Sequence, residues 1–331
     1  MDSDHPDADV SALVTPDQGQ KWEWAVAESS GSSRALLLAN RSSGLGGTRL
    51  DGVLDVLQQA GIVVLSVAPN TPAQIPELIR NIAPKTDMII IGGGDGTLSC
   101  CLPALMETDR PFGVLPMGTA NDLARTLGLP SDPVDAAAVI SRGVTKKIDI
   151  GIVNDRPFFN VASIGFPAEV ARFHTGWRKK LLRLVSYPIS WFDALKVHRN
   201  FNATITCDGH ERRVRCSMIA VGNGRHYGGG LTISEDADID DGWLRVSYIR
   251  PVRFWRALGL LPSLRLGTIA REEEAEVWRA KRIAIRTDRS KRINVDGELV
   301  GTTPANFAVR EKCLEVFVPS AVRGPNDARN D

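Results

Sequence analysis

The chain has 331 residues, 43% hydrophobic and 24% charged, enough for two ordinary domains that each bury a core. A net charge of +1 argues against a strongly basic nucleic-acid binder, so nucleic acid is not expected as a partner. Five scattered cysteines without a CxxC pair argue against a zinc site or a disulfide framework, and no apolar run of about 18 residues is present to span a bilayer.

The first 33 residues open with Asp2, Asp4, Asp7 and Asp9 and lack a basic region followed by an apolar one. They read as a mobile extension, not a signal peptide. From Arg34 a regular pattern begins. Residues 35–39 are expected as a strand, 48–59 as a helix, 62–67 as a strand, 73–82 as a helix and 88–91 as a buried strand. A helix is expected from Thr97 to about Glu107, with Pro103 kinking or shortening it. A strand over 112–115 and a helix over 133–141 complete the set. Strands alternating with helices at this spacing predict a doubly wound α/β domain, and ligands of such sheets sit outside the carboxyl ends of the strands. Three loops fall there: 40–47, 92–97 and 116–121, each rich in Gly, Ser, Thr or Asn.

After about Ile148 the texture changes to short alternating runs: 148–153, 158–164, 201–207, 214–221, 244–249, 282–286, 292–295, 298–300 and 314–318. These predict a β-rich sandwich or distorted barrel. Residues 251–266 are a further helix candidate, and the tail 322–331 reads as disordered. The expected division is 34–148 for the α/β domain and 149–313 for the sandwich, with the strand near 314–319 returning to the first domain. Cys207 and Cys216 read as reduced thiols more readily than as a cross-strand pair.

The stretch Met88-Ile89-Ile90-Ile91-Gly92-Gly93-Gly94-Asp95-Gly96-Thr97 carries the chemistry of the first half. A strand ends in glycines that let backbone approach a ligand, and a helix N-terminus follows, which together make an anion site. Asp95 sets a carboxylate against that anion. It predicts either a Mg²⁺ between the two charges or a network that turns the carboxylate away. No Lys follows the last glycine, so this is not the common ATPase loop. Further on, residues 236–242 (Asp236-Ala237-Asp238-Ile239-Asp240-Asp241-Gly242) imitate the start of a calcium loop. The sixth position is Asp241 and the twelfth Ser247, where Gly and Glu are required, so an EF-hand is rejected. Asn294-Val295-Asp296-Gly297-Glu298 reads as a hairpin turn. Its carboxylates acquire a chemical role only where the second domain faces the glycine loop; there Asp296 or Glu298 is placed to take a proton. The stretch 172–199 interleaves Arg172, Arg178, Lys179, Lys180, Arg183, Lys196 and Arg199 with Phe173, Trp177, Tyr187, Trp191 and Phe192. It suits the interface of an anionic membrane, or equally an amphipathic helix packed on the sandwich, with Pro188 breaking it either way.

Taken together, Gly92–Thr97, Pro116-Met117-Gly118-Thr119-Ala120-Asn121-Asp122, Gly222-Asn223-Gly224-Arg225-His226-Tyr227-Gly228-Gly229-Gly230, Asp240-Asp241-Gly242 and Asp296-Gly297-Glu298 resemble, in that order, the bacterial diacylglycerol-kinase-like lipid kinases. The resemblance spans roughly 34–319. It implies a nucleotide domain like that of NAD kinases and 6-phosphofructokinases, a β-rich lipid-substrate domain, and an active site between them. It implies ATP phosphates against Gly93, Gly94, Asp95, Gly96, Thr97, Gly118, Thr119 and Asn121, with Asn40, Ser43 and Gly44 closing over them. It implies Mg²⁺ with the nucleotide near Asp95, and a second, structural Mg²⁺ on the Asp241 carboxylate and main-chain oxygens of Asp238 and Trp243. Glu298 matches the family's proton acceptor, with Asp296 as neighbour or rival. The implied location is cytoplasmic, with peripheral contact at the inner face of a membrane through 172–199. A soluble-substrate kinase of the NAD-kinase type and a weakly active lipid- or nucleotide-binding regulator are the alternatives. The sequence departs from the family at Asn40-Arg41-Ser42-Ser43-Gly44, where Asn-Pro-x-Ser-Gly is usual, and at Ser99-Cys100, where Asn-Glu is usual. It departs again at Gly165-Phe166-Pro167-Ala168, where Gly-Phe-Asp-Ala is usual, and at Val67, where Thr is common. Oligomeric state is not encoded in any of these features.

Overall fold

The computed structural model describes residues 32–39, 46–69, 71–165, 200–224, 226–227, 231–232, 238–251 and 275–320. The N-terminal extension up to residue 31, the loop 40–45, the basic aromatic stretch 172–199, the helix candidate beyond Pro251 and the tail from 321 lie outside the described residues, as do Pro167, Arg225 and Gly228–Gly230.

The first half is built on four parallel strands. β1 (Arg34–Ala39) runs between β2 (Val63–Val67) and β3 (Met88–Gly93), and β4 (Phe112–Pro116) pairs with the other edge of β3. Every residue of β3 is buried, which is why its sequence is a continuous apolar run and does not alternate. The two faces of the sheet carry separate cores. Ala35, Leu37, Ala39 and Ile90 meet Leu50, Val53, Leu54 and Leu57 of α1 (Gly46–Gln59) together with Ala136, Ala137 and Ile140 of a later helix. Leu36, Leu38, Ile89 and Ile91 meet Ile75, Leu78, Ile79 and Ile82 of α2 (Ile75–Ile82) and Leu98 and Leu102 of α3 (Asp95–Leu105). The helical residues recur every three or four positions, so each helix buries one stripe. A fully buried Ile or Leu contributes about 1.5–3 kcal/mol, and this arrangement buries them on both sides of one sheet.

Three details of the helices refine the expectation. α2 is preceded by a short 3₁₀ turn over Pro72–Gln74, where Pro72 has no N–H to give a helix. α3 begins at Asp95, not Thr97, because Gly94 is extended and its carbonyl already takes the N–H groups of Thr97 and Leu98. Pro103 is accommodated inside α3, which ends two residues later. After β4 come α4 (Asp122–Thr126) and α5 (Pro133–Ser141); Asp132 caps α5 by accepting from the N–H of Val134 at 2.8 Å.

The second half is a sandwich. Beyond the parallel strands, the ten-stranded sheet continues through β18 (Ala305–Phe317), β15 (Arg282–Thr287), β8 (Phe201–Cys207) and β9 (His210–Cys216), with β5 (Thr145–Val153) on β18 and β6 (Arg156–Phe158) on β5. The facing six-stranded sheet is antiparallel and runs β14 (Ala275–Ala280), β13 (Leu244–Ile249), β10 (Met218–Gly222), β7 (Val161–Gly165), β16 (Arg292–Val295), β17 (Glu298–Thr302). A small ribbon, β11 (His226–Tyr227) with β12 (Leu231–Thr232), stands apart. Ile205, Ile283, Ile285 and Phe307 from one sheet and Ile164, Ile219, Val246 and Ile293 from the other share one core.

β18 joins the halves. Its C-terminal part pairs in parallel with β4 through Val316 and Phe112, while its N-terminal part pairs antiparallel with β15. Between them lies a bulge, with Lys312 at φ 46. Two of the expected strands prove to be crossovers between sheets. The run 158–164 breaks at Phe159-Asn160, leaving β6 in one sheet and β7 in the other, and the run 214–221 breaks at Ser217 in the same way. Cys207 and Cys216 sit at opposite ends of the β8–β9 hairpin, paired in register with His210 and Phe201, and both are free thiols.

Candidate active site

The carboxyl ends of β3 and β4 carry the two glycine turns, and the turns interlock. A Cβ on Gly118 would fall 2.5 Å from the Gly94 Cα and 2.7 Å from Asn121 Oδ1, so the two backbones touch only because both residues are glycine. Asn121, left-handed at φ 51, closes the second turn on itself: its Oδ1 accepts from the Gly118 N–H at 2.9 Å and its Nδ2 donates to the Gly118 carbonyl at 3.1 Å. The Gly118 N–H is therefore committed inside the turn, while Thr119 beside it is exposed. Gly94, the residue before α3, brings no side-chain cap to the first turn of the helix, the kind of end at which an anion is favoured. Of the residues expected to line this site, Gly93, Gly94, Asp95, Gly96, Thr97, Gly118, Thr119 and Asn121 come together here. Asn40, Ser43 and Gly44 lie outside the described residues.

Asp95 proves to belong to a network. Its Oδ1 accepts from the Leu123 N–H at 3.3 Å, tying the start of α3 to α4. Burial, and then the nearby Asp122 charge, push the Asp95 carboxyl above its ordinary value, against the backbone N–H groups that favour the charged form. A hard cation would relieve this, with Asp95 and Asp122 as the two carboxylates available to it; no third His, Cys, Asp or Glu completes a cluster among the described residues.

The β16–β17 turn reaches this loop from the other half of the molecule. Asp296 and Gly297 both have positive φ, 45 and 95, as an Asp-Gly hairpin turn requires. The Asp296 carboxylate turns inward and accepts three N–H groups at the β6–β7 crossover: Phe159 at 2.8 Å, Asn160 at 3.1 Å and Val161 at 3.0 Å. Burial pushes its carboxyl up to about 6; the three N–H groups oppose this, and the charge of Asp95 adds to it. Glu298, two residues on, is exposed at the start of β17. On α3 the Cys100 thiol is raised first by burial and then by the charge of Glu298. Asp296 and Glu298 thus differ in kind: one is bound on all sides by backbone, the other is open to a substrate.

Two residues central to this arrangement were given no role from the sequence: Asn223, named there only within its glycine-rich motif, and Asp149. Asn223, 1% exposed, donates from Nδ2 to the carbonyls of Asp149 and Phe159, each at 2.9 Å, while its own N–H binds the Asn160 carbonyl at 2.8 Å. The crossover is thereby gripped by Asn223 on one side and Asp296 on the other. Asp149, also 1% exposed, accepts from Gly242 N at 2.6 Å and Lys312 N at 2.7 Å, and burial raises its carboxyl first, with Asp241 and Asp240 adding to the effect. The signal for Asp149 was available: a lone acid inside the apolar run Ile148-Asp149-Ile150.

Asp238, Asp241 and Trp243, expected to hold a second cation, do lie together in the loop before β13, but with other partners. Asp241 Oδ2 is 2.5 Å from Arg245 Nη2 and its Oδ1 takes the Trp243 N–H at 3.0 Å. Among the described residues no group of three or more His, Cys, Asp or Glu is arranged to hold a metal ion. Both oxygens of the Asp241 carboxylate are thus taken by protein groups.

Comparison with known proteins adds to this geometry. Residues 34–153 match the diacylglycerol kinase catalytic domain, and residues 160–318 match the YegS C-terminal NAD kinase beta sandwich-like domain. A diacylglycerol kinase of Staphylococcus epidermidis is 30% identical over 303 residues, covering 90% of this chain and 96% of its own. One from Staphylococcus carnosus is 29% identical, with 90% and 99% covered. The crystal structure of a diacylglycerol kinase from Bacillus anthracis has the same fold, with a TM-score of 0.70 at 23% identity over 88% of this chain and 98% of that one.

Proposed function

The chain belongs to the diacylglycerol kinase catalytic-domain family, which makes it a lipid kinase, and from that premise we propose that it transfers the γ-phosphoryl group of ATP, with Mg²⁺, to a hydroxyl of diacylglycerol or a closely related lipid. What supports this reading is the Asp296–Gly297 turn: Asp296 holds the N–H of Phe159, whose side chain shares a core with Leu98 and Leu102 of α3, so the turn that bears Glu298 comes from the other half of the chain to the helix that follows the glycine loop. The ATP–Mg²⁺ complex supplies a transferable phosphoryl with part of its charge already neutralised. Around it the N-terminus of α3 and the Thr119 turn hold phosphate oxygens. Asp95 provides the oxygen that faces the cation. Glu298 takes the proton from the acceptor hydroxyl. Asp296, held by three N–H groups, positions that turn and the crossover behind it.

The acceptor is met at a membrane surface. No helix among the described residues is long and apolar enough to cross a membrane. The basic aromatic stretch 172–199 is the segment proposed to make that contact. Incubation with labelled ATP, Mg²⁺ and mixed micelles of diacylglycerol, phosphatidylglycerol, a sphingoid base or a ceramide tests the reading. Label is expected in diacylglycerol, and the absence of label from every lipid overturns it.

The interlocked turns give a second expectation. Gly118→Ala places a methyl group against the Gly94 backbone, which cannot swing aside as a side chain would. Overpacking of this kind costs about 1–3 kcal/mol, which, taken wholly from nucleotide binding, corresponds to an ATP affinity about 5- to 150-fold weaker. Equilibrium binding of a fluorescent ATP analogue reads this directly, and unchanged affinity would show that the two turns do not form one phosphate site.

A further inference from the structure

The loop leading into β13 is where the family resemblance puts a structural divalent cation, yet every oxygen of the Asp241 carboxylate is already engaged by protein. Arg245 lies on β13 between Leu244 and Val246, which face the sandwich core, so its side chain emerges on the opposite face. There its guanidinium spans two of the three expected metal ligands. Nη2 is 2.5 Å from Asp241 Oδ2, and Nη1 is 3.5 Å from the Trp243 carbonyl oxygen. The side chain is only 11% exposed. Among the described residues of the loop, the other two acids are met from β5. Lys146 Nζ lies 2.9 Å from Asp240 Oδ1 and 3.4 Å from Asp238 Oδ1. The main chain is pinned as well, since Asp149 accepts the Gly242 and Lys312 N–H groups and thereby fastens the loop to the β18 bulge.

We propose that the guanidinium of Arg245 stands in this chain where its relatives' pattern calls for a divalent ion, with Lys146 supplying the second positive charge, so that the loop 238–243 keeps its shape without Mg²⁺. The charge argument is direct. Arg245 and Lys146 together bring to Asp241, Asp240 and Asp238 a charge of +2, equal to that of one divalent ion. The geometric argument is equally direct. Mg²⁺ demands near-ideal octahedral oxygens at about 2.0–2.1 Å. An ion at this spot would have to displace a guanidinium N–H from Asp241 and set a second positive charge beside a nearly buried cation, which is costly. The dependence of this enzyme on divalent ions is then confined to the nucleotide site, whatever lipid accepts the phosphate.

The test uses the full chain without nucleotide, carrying Asp95→Asn so that a cation at the glycine loop does not count. Thermal melting in EDTA and in millimolar Mg²⁺, together with Mn²⁺ titration followed by the electron paramagnetic resonance of the free ion, are the two readouts. No shift in melting temperature and no stoichiometric Mn²⁺ uptake are expected. Arg245→Met in the same background frees the Asp241 carboxylate and the Trp243 carbonyl. That variant is expected to melt lower in EDTA and to recover by several degrees, saturably, on addition of Mg²⁺. Uptake of one Mn²⁺ by the Asp95→Asn chain that is lost on adding Asp241→Asn overturns the proposal, and this arm decides the matter even where Arg245→Met does not fold.

Discussion

Glu298→Gln is expected to lower kcat for lipid phosphorylation by about 10²–10⁴-fold while leaving the affinity for ATP unchanged. The substitution keeps the shape of the side chain and removes only its capacity to take a proton. Glu298 is exposed at the head of β17 and pairs with Val295 through its backbone, which the substitution leaves in place; the side-chain bonds that hold the turn come from Asp296 and from Asn294 Oδ1, which accepts the Gly297 N–H at 3.3 Å. Loss of activity in Glu298→Gln therefore reports chemistry and not collapse of the site. Asp296→Asn gives the contrast. An amide has one acceptor oxygen where three N–H groups need partners, so this variant is expected to lose stability along with turnover. Turnover and ATP binding measured on both variants separate the roles. Undiminished kcat in Glu298→Gln removes Glu298 from the mechanism and returns the proton to another group in the cleft.

The parts of this site that could be read from the sequence are those made by short contiguous motifs. The glycine run after Met88–Ile91, the turn at Gly118–Asn121 and the Asp-Gly hairpin each announce themselves, because a turn needs particular residues within a few positions of one another. What could not be read was how the turns meet. Asp296 touches Phe159, Asn160 and Val161, more than 130 positions away, and nothing in the local pattern of either segment names the other. The apolar run 158–164 looked like one strand because period-two alternation does not record a change of sheet. The backbone donors released at that change are the ones Asp296 accepts. Arg245 was hidden for a similar reason: it alternates with Leu244 and Val246 as any outward residue on a half-buried strand does, and only the fold of the preceding loop brings Asp241 and the Trp243 carbonyl to its guanidinium.

Asn223→Leu is expected to destabilise the chain by about 2–6 kcal/mol, since two buried carbonyls each lose their donor at about 1–3 kcal/mol apiece. Leucine is no smaller than asparagine, so the loss is not a cavity effect. The carbonyls are those of Asp149 and Phe159, and each of these residues also holds a second contact. The Asp149 carboxylate fastens the loop before β13 to the β18 bulge, and the Phe159 N–H is one of the three that hold Asp296. One side chain thus links the strand joining the two halves to the turn that presents Glu298. Urea unfolding measures the stability. Asn223→Asp sharpens the test, because it is nearly isosteric yet replaces two N–H donors with a carboxylate facing two carbonyl oxygens. It is expected to be at least as damaging as leucine at neutral pH. A chain carrying Asn223→Asp that is as stable as the wild type would show that the two carbonyls find other donors, and that the crossover is held from the Asp296 side alone.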